Sequence, residues 1–154
     1  MKIEITNQQT IKRIKRKETA RFIKKVLNAC KVAPEEISFV FCDDRFITKL
    51  NKKVFNRCVP TDVIAFPFDS DNLGEVVVSV ERAIKVCAQY GNSWEEEFHL
   101  YIIHGILHLL GYEDTAPAKK KKMFRKQGEI FNKIVGAGSP RPYSGRGNRA
   151  PTRR

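Results

Sequence analysis

Two histidines spaced four residues apart form the pattern in this sequence that most strongly indicates chemistry. His104 and His108 lie in the segment HGILHLLGYED, which covers residues 104–114. On an α-helix, side chains four residues apart project from the same face, about one turn from each other. Two imidazoles placed in this way can bind one tetrahedral ion, as they do in the zinc-binding helices of the H-E-x-x-H kind. The spacing therefore predicts a metal site on a helix.

Asp114 is the candidate for a third metal ligand. Gly111 can end the helix, because glycine tolerates the left-handed conformation of a helix C-terminal turn, and Asp114 follows three residues later. Zinc accepts a carboxylate oxygen as readily as an imidazole nitrogen. Three protein ligands leave a fourth position for water, which is typical of catalytic rather than structural zinc. We therefore expect one zinc ion per chain at His104, His108 and Asp114, with hydrolysis as its chemistry.

Other interpretations of these residues remain open. A pair of histidines on an apolar helix is often no more than two core side chains. The third histidine, His99, precedes His104 by five residues, about 140° round the helix, and is expected to point elsewhere. A metallopeptidase is disfavoured, because Gly105 stands where the H-E-x-x-H enzymes carry their glutamate base. Glu113 could act as a base, although a solvated turn residue is the simpler interpretation.

Periodicity and capping signals predict the elements that must position these side chains. Ser93 and Glu96 fit a capping box, which would begin a helix that carries both histidines and runs to about Leu110. Pro117 can start a last helix that buries Met123, Ile130, Phe131 and Ile134. Strands are predicted at residues 2–6, 37–42, 59–68 and 73–80, the third at a sheet edge because prolines bracket it. Further helices are predicted at residues 10–30, 43–53 and 81–90.

The charge of the chain favours polyanionic partners. Lysines and arginines number 29 against 17 acidic residues, and they crowd residues 12–25, 119–126 and 141–154. Such an excess is typical of nucleic-acid binding, and a basic surface that merely aids solubility is the alternative. Residues 1–135 suit a single domain. Residues 136–154 contain five arginines and no acid and are predicted to be a disordered basic tail.

The remaining composition indicates a cytoplasmic protein without a membrane partner. No apolar run reaches the roughly 18 residues that a membrane helix needs. The first twenty residues lack the apolar stretch of a signal peptide. The four cysteines, which contain no C-x-x-C pair, are expected to be buried free thiols.

Three segments of the chain carry a resemblance to a known family. They are PTDVIAFP at residues 60–67, LGEVVVS at residues 73–79 and HGILHLLGYED at residues 104–114. In this order, and followed by a lysine-rich helix, they resemble the YbeY endoribonucleases, the rRNA maturation factors of bacteria, over roughly residues 2–135. The resemblance implies an α+β fold in which a small mixed sheet packs with helices and an open cleft holds a zinc ion.

The chain departs from that family at two functional positions. Carried over, His104 and His108 are the first two of three histidine ligands, and Asp114 stands in place of the third. A carboxylate ligand would lower the net charge of the site and weaken the Lewis acidity of the ion. The family arginine thought to face the substrate phosphate is replaced by Phe55, and Arg57 is the nearest arginine.

The resemblance and the basic charge together imply a zinc-dependent endoribonuclease specific for single-stranded RNA. It would act in rRNA processing, including maturation of the 3′ end of small-subunit rRNA, and in ribosome quality control. Its partners would be rRNA and the small ribosomal subunit, with no DNA expected, and its catalytic residues would be His104 and Arg57. The alternative is a ribosome-assembly factor that has a structural metal and no catalysis, which Phe55 favours.

Overall fold

The computed structural model describes residues 1–136, which form four strands and five α-helices in the order β-α-β-α-β-β-α-α-α. The strands are β1 (Lys2–Asn7), β2 (Glu36–Cys42), β3 (Val63–Pro67) and β4 (Asn72–Ser79). The helices are α1 (Arg16–Ala29), α2 (Asp44–Phe55), α3 (Val80–Val86), α4 (Trp94–Leu109) and α5 (Pro117–Val135). A single 3₁₀ turn, Cys87–Tyr90, follows α3.

The strands form one mixed sheet in the order β1-β2-β4-β3. The β1-β2 and β2-β4 pairs are parallel, and the β3-β4 pair is antiparallel, with Val63 opposite Val78 and Pro67 opposite Gly74. The predicted α+β fold with a small mixed four-stranded sheet is therefore confirmed. Strand β3 lies at the sheet edge, as predicted. An edge strand has only one neighbouring strand, so Pro67 is tolerated there although it has no backbone N–H to donate.

The two faces of the sheet are covered unequally. Helices α1, α4 and α5 pack on one face in the larger apolar cluster, and α2 covers a smaller cluster around Ile64 and Val77 on the other face. From Glu97 to Leu109, every residue of α4 except His99 is buried. A helix that is apolar nearly all round belongs inside a core, so the two histidines predicted to bind metal stand on the central helix.

Gly105 lets α4 lie directly against β4. A Cβ atom at this position would overlap Cγ1 of Val76 and press on the rest of that side chain. Any side chain larger than hydrogen would therefore push the helix away from the sheet. This packing explains in physical terms why a glutamate base does not stand beside the first histidine.

Some predicted boundaries were wrong for local reasons. Helix α1 begins at Arg16, not near residue 10, because the Gln9 side chain organises the preceding loop. Its Oε1 accepts hydrogen bonds from the N–H groups of Ile11 (2.9 Å) and Lys12 (3.0 Å), and such bonds compete with helix formation. Strand β3 begins at Val63, not near residue 59, because Oδ1 of Asp62 accepts the Val63 N–H at 2.8 Å before the ladder begins.

Other expectations met mixed outcomes. The predicted helix at residues 81–90 divides into α3 and the 3₁₀ turn. Ile134 is only half-buried, whereas Met123, Ile130 and Phe131 are buried as predicted. All four cysteines are free as predicted, but only Cys42 is buried: Cys30 and Cys87 are half-buried, and Cys58 is exposed in the loop after α2. The predicted basic tail lies, apart from Gly136, outside the described residues. Within residues 1–136, no helix combines the length and the apolar character needed to cross a membrane.

Candidate metal centre

The side chains of His104, His108 and Asp114 converge on one point beside the end of α4. The two Nε2 atoms lie 3.1 Å apart. Oδ2 of Asp114 lies 3.5 Å from Nε2 of His104 and 3.7 Å from Nε2 of His108. Two imidazole nitrogens and one carboxylate oxygen within 4.8 Å of one another form a donor set that could hold one metal ion.

Hydrogen bonds on the far side of each ring fix which nitrogen carries the proton. Nδ1 of His108 lies 3.1 Å from the carbonyl oxygen of Tyr112, which can only accept, so this nitrogen is the donor. Nδ1 of His104 likewise donates to Oε1 of Gln127 at 2.8 Å. Both Nε2 atoms therefore present lone pairs to the same point. Two lone pairs 3.1 Å apart repel each other unless a cation or proton lies between them, and the residues thus fit a metal ion.

Burial keeps the second histidine in the form that binds metal. His104 is fully buried and His108 is 8% exposed. Burial and then the proximity of His104 lower the pKa of His108 to about 3, against the opposing charges of Asp114 and Asp62. Because a metal ligand must be a neutral imidazole, His108 is ready to bind an ion at neutral pH without first losing a proton.

The end of α4 brings Asp114 back toward the histidines. Gly111 has a φ of +97°, which favours glycine, and its N–H donates to the carbonyl oxygen of His108 at 3.0 Å. The N–H of Tyr112 donates to the carbonyl oxygen of Leu107 at 3.0 Å. This turn reverses the chain within three residues of the helix, as the sequence predicted from Gly111.

Sequence reasoning missed two polar residues that act on this site. Gln127, fully buried on α5, orients the ring of His104. It falls between Met123 and Ile130 on the stripe predicted to be buried, and a polar residue on such a stripe was the signal. Asp62 is also fully buried, and its charge acts on His108. Its signal was its place in the PTDVIAFP segment.

Open space adjoins the candidate metal centre. A cavity of about 360 Å³ is lined on one side by Ala65 and Pro67 of β3 and on the other by the turn from His108 to Glu113. A neighbouring cavity of about 290 Å³ lies between the same turn and Lys119 and Lys122 of α5. Glu113 is exposed and pairs with Lys119 at 3.5 Å, as expected for a solvated turn residue. The site thus combines buried ligands with an open approach that is basic on the α5 side.

Arg57 follows α2 in an exposed loop. Its backbone N–H donates to the carbonyl oxygen of Asn51 at 3.3 Å. The buried Asn51 side chain also holds this loop through a 2.9 Å hydrogen bond from Nδ2 to the carbonyl oxygen of Val59. Within residues 1–136, no hydrogen bond or ion pair joins the Arg57 side chain to the histidine pair. Its catalytic role stays a prediction. His99 points away as expected, with its ring stacked on Phe22 at 4.1 Å between centroids.

Comparisons with known proteins agree on one family. The family model described as "Endoribonuclease YbeY" matches residues 4–135. A Petrotoga mobilis protein named "Endoribonuclease YbeY" is 37% identical over 139 residues, covering 88% of this chain and 96% of that protein. One of the same name from Acholeplasma laidlawii is 38% identical over 123 residues, covering 77% of this chain and 90% of that protein. The solution structure of a Thermotoga maritima protein superposes with a TM-score of 0.61 at 25% identity, over 86% of this chain and 88% of that one. The chain belongs to the YbeY family.

Proposed function

We propose that this protein is a zinc-dependent endoribonuclease that cleaves single-stranded RNA during rRNA processing. The observation that carries the proposal is the pair of Nε2 lone pairs that face Asp114 beside an open cavity. The relatives named as endoribonucleases supply the class of substrate. We further propose a cytoplasmic protein that meets the small ribosomal subunit, matures the 3′ end of its rRNA and takes part in ribosome quality control.

The proposed ligands of the zinc ion are His104, His108 and Asp114. When bound, the ion supplies Lewis acidity toward water and toward a phosphate oxygen. Gln127 and the Tyr112 carbonyl keep the two rings in the orientation that ligation needs, and such partners typically strengthen metal binding. Asp114 contributes a negative charge, so the site carries a lower net charge than one with three imidazoles.

The surroundings of the site favour a flexible RNA strand. His108 is only 8% exposed, so a phosphodiester must enter the cavity along β3 to reach it. A single strand can bend into such a cavity, whereas a stiff duplex cannot follow it without unpairing. Lys119 and Lys122 line the adjacent cavity, where their charges would attract the phosphates of the strand. Arg57 is proposed to contact the substrate phosphate from its loop.

Cleavage by matched variants tests this proposal. Zinc-loaded wild type should cut a single-stranded RNA and leave the duplex of the same sequence and a DNA copy intact. His108→Ala should lose this activity, and Glu129→Gln, on the exposed face of α5, should keep it. If wild type and His108→Ala treat all three substrates alike, the proposal fails.

A second candidate function is that of a ribosome-assembly factor with a structural metal. Phe55 favours it, because this residue stands where the family has its arginine. Complementation separates the two functions in a cell that lacks the native protein. Rescue by a His104→Ala variant would support assembly without cleavage, and failure of rescue by a stably folded His104→Ala variant would support the endoribonuclease.

A further inference from the structure

A second cleft lies on the other side of α4 from the histidine pair. It has a volume of about 370 Å³ and is formed by α1, the loop before it and the first turns of α4. Clefts that bind small ligands have volumes of about 300–1,000 Å³. Neither the metal centre nor the family resemblance assigns a role to it.

Aromatic rings form the inner wall of this cleft. The Phe22 and His99 rings are stacked with centroids 4.1 Å apart and an interplanar angle of 18°. Trp94 and Phe98 continue the wall, with centroids 5.9 Å apart. Phe22 and Phe98 are buried, whereas Trp94 and His99 are partly exposed, so the wall presents ring surface to the cleft. Burial lowers the pKa of His99 to about 4, so its ring is uncharged at neutral pH.

The outer rim of the cleft is basic. Arg13, Lys15, Arg21 and Lys25 line it, and all four are exposed. Two carboxylates, Glu18 and Glu95, also line the cleft. Glu18 already pairs with Lys15 at 3.8 Å. Residues 12–25 carry eight basic side chains and one acidic side chain, so the rim attracts anions.

The loop before α1 is ordered in a way that adds to this rim. The buried side chain of Gln9 donates from Nε2 to the carbonyl oxygen of Lys12 at 2.7 Å and accepts from the Lys12 N–H at 3.0 Å. These bonds fix the backbone that carries Lys12 and Arg13. Nζ of Lys12 lies 5.9 Å from the centroid of the Trp94 ring, which places a cation next to the aromatic wall.

We propose that this cleft binds one nucleotide of a single-stranded RNA, with the base against the aromatic wall and the phosphates on the basic rim. An aromatic wall alone would be core packing, and a basic rim alone would be a solvated surface. The two together form the combination by which proteins bind single strands without sequence preference. An acidic peptide would use the rim but would leave the rings without a planar partner.

The cleft is a site separate from the one for cleavage. His99 and His108 are nine residues apart on α4, which corresponds to about 13.5 Å along the helix axis and about 180° around it. A nucleotide held here is therefore distant from the phosphodiester beside the histidines. The cleft would hold another part of the strand and increase affinity without taking part in the chemistry. The choice of RNA as the ligand rests on the proposed function.

The only tryptophan of the chain, Trp94, reports directly on this cleft. The full-length protein is titrated with oligouridylate, with an abasic oligonucleotide of the same length and with polyglutamate, while tryptophan emission is recorded. Oligouridylate should quench the emission and bind at least about fivefold more tightly than the abasic strand. Stacking of one base on an aromatic side chain increases the affinity by at least about this factor. Equal affinity for the abasic strand would overturn the stacking, and equal affinity for polyglutamate would overturn the assignment to RNA.

Charge-reversal variants separate the cleft from the overall charge. The double variant Arg21→Glu with Lys25→Glu reverses two exposed charges on the rim. The control, Lys49→Glu with Lys53→Glu, reverses two exposed charges on α2, on the opposite face of the sheet. The rim pair should weaken oligouridylate binding at least about tenfold more than the α2 pair. It should also raise the KM of RNA cleavage without changing kcat. Equal weakening by the two pairs would overturn the cleft.

The two proposals can fail independently in these experiments. If wild type shows the rim-dependent quenching but cuts no RNA, the proposed function fails and the cleft stands. If wild type cuts RNA with a KM that the rim variants do not change, the cleft fails and the proposed function stands. Thermal melting of each variant shows that it is folded before either comparison is made.

Discussion

Oε1 of Gln127 accepts a hydrogen bond from Nδ1 of His104 over 2.8 Å, and this contact joins α5 to the helix that carries the histidine pair. Both side chains are fully buried. The bond fixes the tautomer of His104 so that Nε2 faces His108 and Asp114. A residue that no motif singled out therefore helps to set the geometry of the candidate metal centre.

Replacing Gln127 should weaken zinc binding more than it affects folding. Gln127→Leu leaves His104 free to rotate or change tautomer, and loss of such a partner typically costs about 10- to 100-fold in metal affinity. The variant loses the buried hydrogen bond from Nδ1 of His104, but it also removes a buried Nε2 that has no hydrogen-bond partner within residues 1–136. The stability of the zinc-free protein should therefore change less than the zinc affinity. Competition with a chelator measures the affinity, with Glu129→Gln on the exposed face of α5 as the control. Unchanged zinc affinity in Gln127→Leu would contradict this role.

Gly105→Ala should destabilise the fold through its contact with β4. The added methyl overlaps the buried side chain of Val76, and overpacking of this kind costs about 1–3 kcal/mol. The gain in helix propensity is about 1 kcal/mol at most, so the net change should be destabilising. Urea unfolding measures it. The double variant Gly105→Ala with Val76→Ala should show a favourable coupling energy, and strictly additive effects would argue against the contact.

His99 should make the folded protein sensitive to mild acid. Burial lowers its pKa from 6.5 to about 4, despite opposing charges on Glu95 and Glu96. Between these two values the unfolded chain binds more protons than the folded one, so stability is present above pH 6.5 and falls as the pH decreases toward 4. His99→Phe keeps a ring against Phe22 and removes the titration. Its unfolding free energy should therefore fall less steeply over this range, and an unchanged slope would contradict the interpretation.

Replacing Arg57, in the exposed loop after α2, tests its proposed contact with the substrate phosphate. Because Arg57 is exposed, Arg57→Ala should alter the stability by no more than about 0.5 kcal/mol. If this guanidinium contacts the reacting phosphate, kcat for RNA cleavage should fall by about 10²-fold or more. Arg45→Ala, exposed at the start of α2, serves as the control. Equal kcat values for the two variants would remove Arg57 from the proposed catalytic residues.

Local signals accounted for the parts of the fold that depend on neighbouring residues. Ser93 and Glu96 exchange both hydrogen bonds of the predicted capping box, at 3.1 Å and 2.8 Å, and Asp43 caps α2 by accepting from the Phe46 N–H at 2.8 Å. The start of α1 could not be predicted in this way, because Gln9 uses its side chain to hold a loop whose residues are otherwise good helix formers.

The rest of the site depends on contacts between distant segments. The helical spacing of His104 and His108 predicted their convergence, but the partner of His104 comes from α5, 23 residues further along the chain. The charge of Asp62 reaches His108 only because β3 lies beside α4. Likewise, the strand order β1-β2-β4-β3 depends on crossovers that no local pattern specifies.

Zinc content of the purified protein tests the assignment of His104, His108 and Asp114 most directly. The full-length wild type, His108→Gln, Asp114→Ala and His99→Gln are saturated with zinc, dialysed and analysed by mass spectrometry for bound metal. We predict one zinc ion per chain in wild type and in His99→Gln, and substantial loss of zinc in the other two variants. Equal zinc content in all four proteins would contradict the metal centre.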